Sequence, residues 1–365
     1  MNTTFSIAPG IGGLTPYVPG KPVSELEREL GIRDSVKLAS NENPLGPSPM
    51  VTAALSRALG ELSRYPDGGG FGLRARLAGR HAIDADRITL GNGSNDVLDM
   101  IARVFLWPGR EALISEHAFA VYPISSQAVG ATIRIAPARD FAHDLGAMRA
   151  RVGDDTGVVF IANPNNPTGT WLRRGELHNF LVDLPARVIA VVDEAYIEYV
   201  DEPDYPDAAE WLDELPNLIV TRTFSKAWGL AGLRIGYALS SPLIADLLNR
   251  VRQPFNVNLP ALLAAETALD DESHMREGLR FNRCGMRQIV DGVTALGLEY
   301  IPSVGNFVCV DVGRDAAEVD QALLREGVIT RPVANYGLPR HLRVSIGLPE
   351  ENARFLDVLN KVLAS

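Results

Sequence analysis

Lys226 follows an apolar run, Leu218-Ile-Val220, and sits in the segment Thr221-Arg-Thr-Phe-Ser-Lys226. The run predicts a buried strand that ends just before the lysine. A lysine at such a strand end is a candidate for a lowered pKa and for imine chemistry with a carbonyl group. Taken alone, Lys226 is more simply a surface lysine, so its interpretation depends on what the rest of the chain supplies.

A glycine-rich turn, Gly91-Asn-Gly-Ser-Asn-Asp96, joins a short predicted strand to a strongly amphipathic helix. Free N–H groups at a helix start attract anions, and a phosphate suits them well. Ser94 and Asn95 are the expected donors. A tight turn with an ordinary helix cap is the alternative, and the turn lacks the Gly-Lys-Ser/Thr of a nucleotide-binding loop.

Further anion-binding groups follow later in the chain. Thr223, Ser225 and Arg234 flank the lysine, and an arginine can clamp a phosphate with two hydrogen bonds. Arg331 and Arg343 lie on two predicted strands near the C-terminus. If Arg343 points inward, it can bind a carboxylate or phosphate; if it lies on an edge strand, it is surface charge.

Two more predicted strands end in polar side chains. Asn163-Pro-Asn-Asn-Pro-Thr-Gly169 follows one, and Val191-Val-Asp-Glu-Ala-Tyr196 ends another. Ligands of open α/β sheets bind at the carboxyl ends of the strands. A buried Asp193 needs a cationic or hydrogen-bonding partner, which a pyridinium N–H would provide. An Asx-turn loop and a helix-capping aspartate are the alternatives.

The elements that must position these groups alternate between strands and helices, which predicts an α/β sandwich with a mostly parallel sheet. The expected strands of this large domain cover residues 87–90, 111–115, 132–136, 158–162, 188–193, 218–223 and 235–239. After Pro254 short strands mix with helices, which predicts a smaller α+β lobe. We expect an N-terminal arm or lid at 1–40, a large domain at 41–260 and a small domain at 261–365. A capping box at Ser24 and Glu27 predicts a short helix in the arm.

The composition excludes several classes of protein. The 365 residues carry a formal net charge of −10 and no dense basic run, which disfavours binding to nucleic acid or membrane surfaces. Two cysteines and six scattered histidines predict neither a disulfide framework nor a metal site. We expect no signal peptide and no membrane span, and therefore a cytoplasmic location.

These motifs, in this order, resemble the pyridoxal phosphate (PLP)-dependent aminotransferases of the aspartate aminotransferase fold, class II. Their fold has a three-layer α/β/α large domain and a smaller C-terminal domain. Within the superfamily the sequence is most similar to the histidinol-phosphate branch, through its length, Leu14-Thr-Pro-Tyr17, Asn41-Glu-Asn-Pro44 and Tyr336-Gly-Leu-Pro339. Trp228 and Val333 depart from the residues frequent in that branch, Phe and Leu.

The resemblance implies roles for individual residues. Lys226, Asp193 and Tyr196 form the catalytic set: the lysine carries the cofactor as a Schiff base and shuttles protons, and the aspartate keeps the ring nitrogen protonated. The expected cofactor-binding residues are Ser94, Asn95, Phe119, Asn166, Asp193, Tyr196, Thr223, Ser225, Lys226, Arg234 and Tyr65. The expected substrate-binding residues are Tyr17, Asn43, Arg331 and Arg343.

Some of these roles are more specific. Phe119 would stack on the ring, and Asn166 and Tyr196 would bind its hydroxyl group. Tyr65 would reach the cofactor phosphate of the other subunit, which implies a homodimer with shared active sites. Arg343 would bind the α-carboxylate of glutamate or 2-oxoglutarate.

The implied partners are a small amino donor and a 2-oxo acid. The implied reaction converts histidinol phosphate and 2-oxoglutarate to imidazole acetol phosphate and glutamate by a ping-pong cycle. An aromatic-amino-acid aminotransferase and a PLP-dependent decarboxylase of the phosphothreonine type are the alternatives. A PLP-sensing regulator is disfavoured, because no helix-turn-helix pattern precedes residue 40.

Overall fold

A computed structural model describes residues 6–17 and 19–364. Residues 1–5 and 18 of the predicted N-terminal arm lie outside the described residues, as does residue 365. The helices are α1 (Val23–Leu30), α2 (Pro49–Ala58), α3 (Phe71–His81), α4 (Ser94–Phe105), α5 (Val121–Ala128), α6 (Leu145–Arg149), α7 (Arg174–Val182), α8 (Pro242–Val251), α9 (Leu259–Ala268), α10 (Glu272–Ala295), α11 (Ala316–Arg325) and α12 (Pro349–Leu363).

The strands are β1 (Val36–Lys37), β2 (Ile88–Gly91), β3 (Glu111–Ser115), β4 (Thr132–Ala136), β5 (Ala138–Arg139), β6 (Ala142–His143), β7 (Thr156–Ala162), β8 (Ile189–Asp193), β9 (Leu218–Thr223), β10 (Gly236–Ser240), β11 (Glu299–Ile301), β12 (Phe307–Asp311), β13 (Val328–Ile329), β14 (Arg331–Val333) and β15 (Leu338–Ser345). Each strand expected in the large domain is present within two residues of its expected bounds. The short strands β1, β5 and β6 were not expected, because two residues carry no periodic pattern.

The large sheet has seven strands in the order β2-β10-β9-β8-β7-β3-β4. Its neighbours are parallel except that β10 runs antiparallel to both β2 and β9. Apolar clusters cover both faces, with Val192 and Val220 in one and Val191 and Ile219 in the other. Burial on two faces explains why these strands are continuous apolar runs. The predicted α/β fold with a mostly parallel sheet is confirmed.

The C-terminal part contains a four-stranded sheet in the order β11-β12-β15-β14, whose paired strands are antiparallel. Strand β1 pairs in parallel with β13, so this part of the predicted arm joins the C-terminal lobe. The division into three units at residues 40 and 260 stays a prediction.

The capping box predicted at Ser24 is wrong. Helix α1 begins at Val23 with Pro22 as its N-cap and has no side-chain cap. The Glu27 carboxylate instead accepts a hydrogen bond from the backbone N–H of Ser35 at 3.4 Å. Among the described residues, no helix is long and apolar enough to span a membrane.

Candidate active site

The predicted site residues converge at the carboxyl edge of the large sheet. They line a cavity of about 190 Å³ between this edge, the start of α4 and the C-terminal sheet. The predicted residues that line it are Tyr17, Ser94, Asn95, Phe119, Asn166, Asp193, Tyr196, Thr223, Ser225, Lys226, Arg234, Arg331 and Arg343. Thirteen of the fifteen side chains therefore share one enclosure, and the other two, Asn43 and Tyr65, lie outside its wall.

Lys226 faces this cavity and is partly buried. Its Nζ donates to the carbonyl oxygen of Ser40 at 3.1 Å and lies 5.7 Å from the centre of the Tyr196 ring. Desolvation, with the nearby positive charge of Arg343, lowers the pKa of Lys226 to about 7. An amine with that pKa is part neutral at physiological pH, which a nucleophile and a proton carrier require.

The lowered pKa of Lys226 predicts a specific pH dependence of stability in the ligand-free protein. Between pH 7 and pH 10.5 the unfolded chain keeps a proton that the folded chain has lost, so the free energy of unfolding rises with pH. Replacing Lys226 with methionine should remove this rise, which is up to about 3 kcal/mol between pH 7 and pH 9. Urea unfolding at pH 6, 7, 8 and 9 tests this, with Lys361→Met as an exposed control. Parallel curves for wild type and Lys226→Met would contradict it.

Asp193 ends β8 and is almost fully buried. Its Oδ1 accepts from the Thr221 hydroxyl at 3.0 Å, and its Oδ2 accepts from the Tyr122 hydroxyl at 2.8 Å. Burial raises the pKa of Asp193, while these hydrogen bonds oppose the rise. A buried carboxylate in this position is suited to a cationic partner in the cavity.

The start of α4 forms an anion cradle. Its N-cap, Gly93, has φ +82° and no side-chain cap, so the N–H groups of Ser94 and Asn95 have no partner within the helix. A Cβ at Gly93 would lie 2.4 Å from an Arg234 Nη atom, so only glycine lets the guanidinium approach. Arg234 also donates to the Ser225 hydroxyl at 3.2 Å. Cationic and N–H donors on one side of the cavity fit a phosphate group.

A second anion-binding corner lies on the C-terminal sheet. Arg331 and Arg343 are direct partners across β14 and β15, and paired like charges destabilise a sheet unless an anion lies between them. Arg343 is 6% exposed and donates to Asn166 Oδ1 at 2.7 Å. Its Nε has no partner among the described residues. Arg331 lies over the Tyr17 ring at 5.7 Å. Two guanidinium groups side by side are chemically suited to a carboxylate or a phosphate.

Three residues near the site were not predicted from the sequence. Tyr122 and Thr221 hold Asp193, and Asn41 donates from Nδ2 to the Tyr196 hydroxyl at 2.9 Å. Thr221 had a usable signal, because it is the cross-strand partner of Asp193 in a parallel pair. Tyr122 comes from a distant segment with no motif of its own, and Asn41 begins the motif Asn41-Glu-Asn-Pro44, of which only Asn43 was predicted to bind.

Asn43 and Tyr65 do not line the cavity. Asn43 donates from Nδ2 to the carbonyl oxygen of Ala227 at 2.9 Å, next to Lys226. Tyr65 is 81% exposed and stacks on Phe255 with ring centres 4.6 Å apart. Their predicted binding roles stay predictions.

The fold brings a lysine amine, a buried carboxylate and two groups of anion-binding side chains together at one edge of the large sheet. Residues 33–359 match the family model of aminotransferases class I and II. The chain belongs to the aminotransferase class I and II family and is a transferase, as the sequence predicted.

Individual relatives agree with this assignment. The chain is 62% identical to histidinol-phosphate aminotransferase 2 of Pseudomonas aeruginosa over 358 residues, covering 98% of this chain and 97% of that protein. The crystal structure of histidinol-phosphate aminotransferase from Sinorhizobium meliloti in complex with pyridoxal-5'-phosphate aligns with a TM-score of 0.91 at 30% identity, covering 100% of this chain and 99% of that one. L-threonine-O-3-phosphate decarboxylase from Porphyromonas gingivalis aligns with a TM-score of 0.80 at 26% identity, covering 90% and 100%.

Proposed function

We propose that the protein transfers the amino group of L-histidinol phosphate to 2-oxoglutarate with PLP as its cofactor, giving imidazole acetol phosphate and L-glutamate. The observation that carries the proposal is full-length similarity, at 62% identity, to a protein of that name. The paired Arg331 and Arg343 support it, because one corner can bind the phosphate of the donor and the carboxylate of the acceptor in turn. A cytoplasmic location is part of the proposal. It is supported by Cys284 and Cys309, which are both free thiols, as is usual in a reducing compartment.

The cavity fits PLP at each of its chemical groups. Lys226 would bind it covalently, Asp193 would hold its ring nitrogen, and the α4 start with Arg234 would hold its phosphate. Phe119 would cover the ring face, since it lines the cavity and packs edge-on against Tyr122. When bound, PLP supplies an electron-withdrawing ring that stabilises negative charge on the carbon bearing the transferred amino group.

The protein's own residues would bind, orient and move protons. Arg343, held by its hydrogen bond to Asn166, would fix the substrate anion and so place the amine beside Lys226. With a pKa of about 7, the Lys226 amine can accept a proton at Nζ and return it at neutral pH. The buried Tyr196 hydroxyl, whose pKa burial raises to about 12, stays protonated and can donate.

A kinetic comparison of two donors tests this proposal. Histidinol phosphate and phenylalanine are offered separately with 2-oxoglutarate, and kcat/KM is measured for each. A preference for histidinol phosphate of at least about tenfold is expected, because a phosphate can bind both arginines. A preference for phenylalanine would indicate the aromatic alternative. Release of carbon dioxide without any oxo acid would indicate the decarboxylase.

The proposal includes a homodimer in which Tyr65 completes the partner's site. Its support is the exposed Tyr65–Phe255 stack, which lines one surface groove together with the exposed Leu62. Three exposed apolar side chains of this size on one surface are typical of a covered interface.

Mixing two inactive variants tests the shared site. Lys226→Ala and Tyr65→Ala homodimers should each be impaired, but a mixed dimer contains one site with both residues intact. After random exchange of subunits, half of the dimers are mixed, so about a quarter of wild-type activity should return. Each variant unfolded and refolded alone is the control. Mixed dimers without recovered activity, or a fully active monomer in sedimentation, would refute the shared site.

A further inference from the structure

Asp193 and Thr221 lie on one face of the large sheet, and the next residue of each strand points to the opposite face. Strand alternation places Glu194 and Arg222 there, behind the cavity, on the side of Val192 and Val220. The ends of β8 and β9 therefore carry a polar pair on the cavity face and a charged pair on the back face.

The charged pair is closely hydrogen-bonded. Arg222 donates from Nε at 3.0 Å and from Nη2 at 2.7 Å to Oε2 of Glu194. The second carboxylate oxygen, Oε1, accepts the backbone N–H of Ala208 at 2.9 Å. Arg222 Nη2 also donates to Asp207 Oδ1 at 2.5 Å. We call Glu194, Arg222 and Asp207 the back-face cluster.

The back-face cluster is costly for the fold. Glu194 is fully buried and Arg222 is 6% exposed. Burial raises the pKa of Glu194 to about 7, although Arg222 opposes this, so the carboxylate is only partly stabilised by its partner. Apolar side chains of similar volume commonly stabilise an interior as well as a buried ion pair does. Stability alone therefore gives little reason to place charges here.

The cluster does control geometry at the site. The backbone N–H of Glu194 donates to the carbonyl oxygen of Thr221 at 2.9 Å, one step beyond the last β8–β9 pair. The planar guanidinium of Arg222 donates two hydrogen bonds to Glu194. It therefore fixes the relative position of the two strand ends better than the flexible amine of a lysine would. Those strand ends are the ones that carry Asp193 and Thr223 into the cavity.

We propose that Glu194 and Arg222 are positioning residues, whose ion pair holds the ends of β8 and β9 so that Asp193 and Thr223 meet the cofactor. The inference rests on the proposed function, since it takes PLP as the ligand of the cavity. It assigns the charged pair a role in cofactor binding that is separate from any role in folding.

The test uses two conservative variants of the full-length protein. Glu194→Gln keeps the shape and loses the charge, and Arg222→Lys keeps the charge and loses the fork. Each is measured for the dissociation constant of PLP, for the pKa of the visible absorbance band of the holoprotein, and for the urea midpoint without PLP. Both variants should bind PLP about tenfold or more weakly and shift the band pKa by about half a unit or more.

Leu177→Ala is the matched control, because Leu177 is fully buried in the same apolar cluster but lies on α7. It should lower the urea midpoint without changing the PLP affinity or the band. If either conservative variant keeps wild-type affinity and band pKa, or if Leu177→Ala changes them equally, the positioning role is overturned. A wild-type protein that binds no PLP would instead refute the proposed function. Which amino donor the enzyme prefers affects neither the PLP affinity nor the pKa of the visible band.

Discussion

Lys226→Ala should lower the transamination rate by roughly 10⁴-fold or more, because the variant loses both the covalent attachment point and the proton carrier. No other lysine lines the cavity among the described residues. Lys37, two residues before the cavity-lining Ala39, is held by Glu42 at 2.8 Å. The wild-type protein with PLP should show a visible absorbance band that borohydride reduces and fixes to the chain.

The spectroscopic readout separates this prediction from loss of fold. Lys226→Ala should lose the reducible band while unfolding as cooperatively as wild type, and peptide mapping should find the reduced label on Lys226 in wild type alone. Lys361→Ala, which removes an exposed lysine paired with Glu326, should behave as wild type. If Lys226→Ala still forms a band that borohydride reduces and fixes to the chain, another amine binds the cofactor and the assignment of Lys226 is wrong.

Much of the site was predictable because its groups follow buried strands. Asp193 comes directly after an apolar run, and Lys226 follows three residues after the end of β9. The carboxyl ends of neighbouring parallel strands must meet at one edge. The Gly91–Asp96 turn was predictable for a similar reason, because it starts a helix whose free N–H groups face the same edge. A single sequence thus predicts those site residues that lie close to the end of a strand or the start of a helix.

What escaped prediction depends on tertiary contacts. Tyr122 reaches Asp193 from 71 residues away, and Asn41 reaches Tyr196 across 155 residues. No sequence pattern connects residues that are so far apart in the chain. The cap predicted at Ser24 failed because α1 begins at Val23, which makes the extended Pro22 the N-cap and puts Ser24 inside the helix. Charge pairing on the back of β8 and β9 was missed because Glu194 and Arg222 are hidden among motif residues.

Asp193→Asn is the second change with a large expected effect. The asparagine fills the same volume and can still bond to the hydroxyls of Thr221 and Tyr122, since both hydroxyls can donate or accept. It removes a buried negative charge from the cavity. Two unit charges 4 Å apart at an effective dielectric constant of 20 attract by about 4 kcal/mol. We therefore expect kcat/KM to fall by about 10²–10³-fold.

Tyr122→Phe is the control that separates charge from positioning in this experiment. It removes the hydrogen bond of 2.8 Å to Asp193 Oδ2 and keeps the carboxylate, so a loss of about tenfold is expected. The stacked pair that Tyr122 forms with Phe160 should keep the aromatic ring in place. If kcat/KM falls no further in Asp193→Asn than in Tyr122→Phe, and both variants unfold like wild type, then Asp193 contributes through its position and not through its charge. A full loss in Asp193→Asn with an unchanged visible spectrum would place its effect on the substrate instead of on the cofactor.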